Sequence, residues 1–209
     1  MNKNRDNELR LKFNTHLQKL TGVDKDYYSA LKEEDVLELK SVLSDINNLL
    51  TYKLSIKAAE WIAEYFQLGE DEKRKILEDI DSTDPNSTGF DIVINEPLKI
   101  IAEVKCNIPV KGGSKFGAMQ SKKLIEDVQK LLKGKRKIEN TDDFFKFLFI
   151  INVGERSEIA IIKFTQKTNV RVENEERLNR NITRDFMEII KDQNHGQLSK
   201  NKVYIKSLM

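Results

Sequence analysis

Gly89-Phe90-Asp91-Ile92-Val93-Ile94-Asn95-Glu96-Pro97-Leu98-Lys99-Ile100-Ile101-Ala102-Glu103-Val104-Lys105-Cys106 is the stretch that decides how this chain is read. Phe90–Ile94 and Lys99–Cys106 are short runs rich in β-branched residues, and Asn95-Glu96-Pro97 between them is a turn signal, so the segment predicts a hairpin. Side chains alternate along a strand, which puts Glu103 and Lys105 on one face and Ala102, Val104 and Cys106 on the other. If the strands pair through the turn, Asp91 lies opposite Glu103. Two converging carboxylates with no histidine nearby make a site for a hard, oxygen-seeking cation such as magnesium. Lys105 beside that cation would orient or help deprotonate a water, because a lysine near strong positive charge has a lowered pKa.

These residues resemble the PD-(D/E)xK nuclease superfamily. The first acid of the pattern is Asp91, here preceded by Phe90 in place of proline, and the second motif is Glu103-Val104-Lys105. The resemblance covers about residues 55–150 and implies a restriction-endonuclease-like α/β fold, a mixed central sheet flanked by helices. It implies that Asp91 and Glu103 bind one or two magnesium ions and that Lys105 is the catalytic lysine. Many members place a helix glutamate beside the metal, and Ala58-Ala59-Glu60-Trp61-Ile62-Ala63-Glu64 resembles that helix. Glu60, flanked by the small Ala59 and Ala63, is the preferred third ligand, with Glu64 one turn later on the same side. A glutamine in the helix after the lysine motif contacts the active site or DNA in some branches, and Gln120 resembles it, with Lys123 at i+3.

Outward from the hairpin, the period of the hydrophobic pattern changes. Before it, Leu9, Phe13, Leu17 and Leu20 share a helix face, as do Val36, Leu39, Val42, Leu43, Ile46, Leu49 and Leu50. Ile56, Ala59, Ile62, Ala63 and Phe66 form a third stripe, with Gly69 as its expected C-cap. A charged helix follows from Glu70 to about Asp81, then a loop over residues 82–89. After the hairpin come a glycine-containing loop, a helix carrying Leu124, Ile125, Val128, Leu131 and Leu132, and a buried strand over residues 145–153. Ile159–Phe164 fits either a helix or a strand, with helix favoured after Ser157; Glu173–Lys191 reads as a helix with Leu178, Ile182, Phe186 and Ile189 on one face, and Lys202–Leu208 as a strand. The expected organisation is a helical N-terminal region, residues 1–54, and an α/β core, residues 55–209.

Charge is unevenly spread over the 209 residues. Residues 60–102 hold eleven acids against four bases, and residues 103–137 hold ten bases against three acids. An acidic block beside a basic one suits a cation site next to a surface for a polyanion. Lys111-Gly112-Gly113-Ser114-Lys115-Phe116-Gly117 lacks the Gly-Lys-Ser/Thr ending of a nucleotide-binding loop. It reads as a basic loop at a cleft edge, with Lys111 and Lys115 gripping phosphates and Phe116 anchoring the loop. A single cysteine excludes a disulfide framework, and with only His16 and His195 a histidine-rich metal site is also excluded. Cys106 reads as a small core hydrophobe. No apolar run approaches the length of a membrane span, and the charged first residues do not read as a signal peptide. A cytoplasmic protein without membrane partners is expected.

The leading expectation is therefore a magnesium-dependent endonuclease acting on double-stranded DNA. Its size and layout resemble a type II restriction enzyme, which implies a homodimer on palindromic DNA and a separately encoded DNA methyltransferase as its cognate partner. The alternatives are a junction resolvase, a repair or phage-defence nuclease, a non-catalytic nucleic-acid-binding module of the same fold, or an antitoxin-like interaction protein.

Overall fold

The computed structural model describes residues 5–83, 88–135, 138–166, 175–192 and 197–209, with the backbone alone at 44, 111 and 175–178. The chain divides into two compact units, Met1–Asn47 and Asn48–Met209. The first contains α1 (Arg5–Thr21), α2 (Tyr27–Ala30) and the beginning of α3 (Glu33–Tyr65). Asp26 caps α2 and ties it to α1, accepting hydrogen bonds from Ser29 N and from Asn14 Nδ2 at 2.7 Å, with Arg10 against its other oxygen. The bond from Asn14, then that from Ser29, holds this carboxyl down at about 2. Of the expected α1 stripe, Leu17 is buried while Leu9 and Leu20 are exposed.

The second and third hydrophobic stripes turn out to lie on one uninterrupted helix, α3. No glycine or proline breaks residues 33–65, so nothing ends the helix between them. Its end is also not where glycine suggests. The chain turns left-handed at Gln67 (φ 53°), and the Leu68 amide reaches back to the Ala63 carbonyl at 2.9 Å, the bond of a Schellman ending. Gly69 instead begins α4 (Glu70–Asp81) as its N-cap, with extended backbone.

The second unit is built on one mixed five-stranded sheet. Its strands are β1 (Ile92–Ile94), β2 (Ile100–Lys105), β3 (Phe145–Ile151), β4 (Met187–Ile189) and β5 (Val203–Leu208), in the spatial order β1-β2-β3-β5-β4. The expected hairpin forms: β1 pairs antiparallel with β2, Ile92 opposite Ala102 and Ile94 opposite Ile100. The other neighbours run parallel. Parallel strands need crossover connections and covered faces, which explains the near-continuous apolar run of β3.

Helices cover both faces. On one, Leu54, Ala58, Ala59, Trp61 and Ile62 of α3 and Ile76 and Ile80 of α4 pack on Ala102, Val104, Phe147, Phe149 and Tyr204. On the other lie α5 (Ala118–Lys133) and α6 (Glu155–Thr165). There Leu124, Ile125, Val128, Leu131, Ile161 and Phe164 pack on Ile101, Leu148, Ile150, Val203 and Ile205. The helix expected over residues 159–164 is thus α6. A polar link at the edge of this layer adds to the packing: Trp61 Nε1 and Lys206 Nζ both donate to the exposed Asp192 Oδ1, at 2.7 and 2.6 Å.

One segment departs from the periodicity. The single helix expected over residues 173–191 is instead α7 (Glu175–Arg184) followed by β4. Ile182 and Phe186 are exposed, and Ile189 lies in the strand; the Leu178 side chain and residues 173–174 lie outside the described residues. Arg184 Nε donates to the Phe164 carbonyl and ties the end of α7 to α6, and Met187 and Ile190 then turn inward. An edge position beside β5 outweighs the weak helical pattern of a short apolar run. No helix among the described residues is long and apolar enough to cross a membrane.

Candidate active site

The hairpin register extends naturally to the two acids. Ile92 pairs with Ala102, so Asp91 falls opposite Glu103. The ladder stops there, and the next β2 amide facing the first strand, that of Val104, donates instead to Asp91 Oδ2 at 2.7 Å. Glu103 and Lys105 share the sheet face of Ile101, which α5 covers. Glu103 is only 2% exposed, and burial of an ionised acid demands compensation. Lys105 Nζ supplies part of it, donating to Glu103 Oε2 at 2.7 Å.

Two more residues complete the cluster, and the sequence reading had not picked out either. Asp127, buried on α5, lies 3.4 Å from Lys105 Nζ and 3.0 Å from Lys130 Nζ. Lys135 reaches Glu103 Oε1, donates to the Gly89 carbonyl at 2.7 Å, and sits 4.8 Å over the Phe90 ring. The ammonium meets Oε1 without hydrogen-bond alignment, so this buried oxygen has no directed donor. Both residues left a signal. Asp127 is three residues after Leu124 and four before Leu131, an acid on the apolar stripe of its helix. Lys135 follows Gly134, whose φ of 97° turns the chain back toward the hairpin. A Cβ there would come within 2.4 Å of the Ile138 carbonyl oxygen, so only glycine fits.

Burial, then the charge of Glu103, pushes Asp91 up to about 6. For Lys105 the balance is reversed from what the sequence suggested. Burial alone would depress it, but the carboxylates of Glu103, Asp127 and Asp91 outweigh burial and raise it above the usual lysine range. With carboxylates rather than a cation facing it, Lys105 holds its proton and acts as a fixed positive charge.

Glu60 does not join this cluster. It is exposed on α3, as is Glu64, and α3 packs on the Ala102 and Val104 face of the sheet, opposite Glu103. Its small neighbours Ala58 and Ala59 dock on the sheet and turn Glu60 outward. The helix acid beside the pair is Asp127, from the helix after the hairpin. Gln120 closes the start of α5: its Oε1 accepts from the Gly117 amide at 2.9 Å, and its Nε2 donates to the Ile108 carbonyl at 3.1 Å. Lys115 and Lys123 are exposed, and the Lys111 side chain lies outside the described residues. Phe116 is buried edge-on to Phe164, as a loop anchor. Cys106 is half-buried on the α3 side beside Thr51, His16 is exposed, and His195 lies outside the described residues.

Among the described residues, no three Asp, Glu, His or Cys side chains are gathered to hold a metal by themselves. The donor set still fits magnesium, which commonly takes one or two carboxylates and completes its shell with water and phosphate oxygens. An undirected buried oxygen on Glu103 and a neighbouring acid raised by burial and by the charge of Glu103 are what a divalent cation between them would relieve.

The raised Asp91 has a measurable consequence for stability. Its folded value of about 6 exceeds the ordinary 3.8, so the folded state binds the proton more tightly. Stability from this group is present below about pH 4 and is lost as pH rises through 6, by on the order of 2–3 kcal/mol. Asp91→Asn keeps an acceptor for Val104 and removes the titration. In metal-free buffer the variant should gain on the wild type progressively between pH 4 and 7, measured by urea unfolding. Parallel pH profiles would show that Asp91 is not under this strain.

Compared with family models, with curated proteins and with solved structures, the chain matches none.

Proposed function

We propose that this protein is a magnesium-dependent DNA endonuclease of the PD-(D/E)xK type with a restriction-endonuclease-like fold. It would work as a homodimeric type II restriction enzyme on double-stranded DNA in the cytoplasm. The observation that carries the reading is the hairpin: Asp91 directly precedes β1 and accepts from the Val104 amide, beside Glu103 and Lys105 on one face of β2. Asp91 and Glu103 would hold the cation. Bound there, magnesium would supply charge neutralisation at the phosphate and a water acidic enough to attack it.

The chain's own residues account for the rest. Water oxygen bonds to phosphorus as one of its protons passes to solvent, one ester P–O bond breaks, and the leaving oxygen takes up a proton from solvent. Lys105, held by Glu103 and Asp127, is placed to stabilise the extra negative charge that builds on the phosphate oxygens. Asp127 holds Lys105 in line, and exposed Lys115 and Lys123 suit contacts to backbone phosphates. Cutting both strands in one encounter needs two such sites. The described residues of one chain carry one, which is the reason for two copies.

A second reading has its own observation. Both Glu103 oxygens face lysine ammonium groups, the arrangement of a structural ion network in a non-catalytic nucleic-acid-binding module. Incubating the protein with varied plasmid DNA, with and without magnesium, and mapping the ends separates the two. Magnesium-dependent cleavage at fixed sites supports the restriction reading. Binding without cleavage of any plasmid, in magnesium or manganese, favours the module.

A further inference from the structure

The cluster holds one more positive charge than a single catalytic lysine requires. Lys135 lies outside the quoted motif, on the short turn that follows α5. Gly134 with its positive φ starts that turn, and paired backbone bonds between Lys135 and Ile138, at 2.9 and 2.8 Å, close it. The turn delivers the ammonium to Glu103 Oε1, the Gly89 carbonyl and the face of Phe90. Lys135 and Lys105 retain 18% and 24% side-chain exposure, against 2% for Glu103. Anything approaching Glu103 from solvent therefore meets these two ammonium groups first.

Resting on the nuclease reading, we infer that Lys135 is a second phosphate-binding cation of the site, kept on Glu103 as a counterion until a divalent ion takes that carboxylate. Lys105 keeps Asp127 as a carboxylate neighbour at 3.4 Å and stays in place. Among the described residues Lys135 is ion-paired with Glu103, and its other contacts are a carbonyl and a ring. Once its carboxylate is engaged elsewhere, its charge is uncompensated at the rim of the site. A phosphodiester oxygen is the anion that the bound substrate would bring there, and a charge-assisted hydrogen bond to it forms over a short reach.

The two parts of this role predict opposite changes from one substitution. Lys135→Gln keeps a donor for the Gly89 carbonyl and removes the charge. Calorimetric titration of the full chain with magnesium alone should give several-fold tighter binding than wild type, because no ammonium competes for Glu103. Affinity for duplex DNA in calcium, which replaces magnesium to prevent cleavage, should fall roughly tenfold. The slope of log affinity against log salt should also drop by about 0.9. A structural role would weaken both, and a plain surface lysine would move neither; either result overturns the inference. Lys135→Met carries the same test should the glutamine variant not fold. If the wild-type protein binds no magnesium or calcium, the nuclease reading fails and takes the inference with it. If it binds metal but Lys135→Gln changes nothing, only the inference fails.

Discussion

Glu103→Gln should lower the rate of DNA cleavage by about a thousandfold or more, with the protein still folded. Glutamine has the same shape but is a poor magnesium ligand, and a correctly placed metal stabilises a phosphoryl transition state by several kcal/mol, about a factor of ten per 1.4. Folding should survive because the lost charge is partly redistributed. Lys105 keeps Asp127 near it, and Asp91, raised chiefly by burial, is freed from the repulsion of Glu103 that raises it further. Removing one partner of a buried pair normally costs several kcal/mol, and here that relief offsets part of it. Circular dichroism and a duplex-binding assay on the variant establish that it is folded and binds DNA. Cleavage within tenfold of wild type would remove Glu103 from the metal site.

The largest effect on stability should come from Phe147→Ala. Phe147 is fully buried on β3, the middle strand of the sheet, and its ring meets Trp61, Phe66, Phe149 and Tyr204 at centroid distances of 5.8, 6.1, 5.8 and 5.8 Å. Truncation removes the transfer energy of the ring and leaves a cavity that four aromatic neighbours cannot easily fill. The expected loss is about 3–5 kcal/mol, a large part of the roughly 5–15 kcal/mol typical of a domain. Guanidinium unfolding should show a lower midpoint with unchanged slope. A loss below about 1 kcal/mol would mean that this face of the sheet is not a tightly packed core.

How far the residues alone reached can be followed along the hairpin. Period-two alternation around Asn95-Glu96-Pro97 identifies β1, β2 and their antiparallel pairing, and with them the juxtaposition of Asp91 and Glu103. What a single chain does not reveal is which sheet face each helix covers. The small residues around Glu60 favour it as a ligand, yet Ala58 and Ala59 are residues that dock on the sheet, and Glu60 is left in solvent. Asp127 was readable in principle as a charge on an apolar stripe, but its meaning depends on Lys105 lying beneath α5. Lys105 shows the same limit in its protonation: its state follows from three carboxylates, one of them distant in sequence. At residues 186–190 the local pattern gave way to an opening beside β5 that sequence periodicity cannot register.

The order of strands also constrains how the protein can be made. β5 lies between β3 and β4, although β4 precedes it along the chain. During synthesis, β3 emerges with one backbone edge still open, and β4 has no strand to join until residues 203–208 leave the ribosome. That edge then stays accessible to chaperones, and to other nascent chains, over the whole interval in which about fifty further residues are added at roughly 5–20 per second. Nonstop or frameshifted products that lose β5 would lack an interior strand rather than an ornament at the edge. Quality-control proteases would meet them as open sheets.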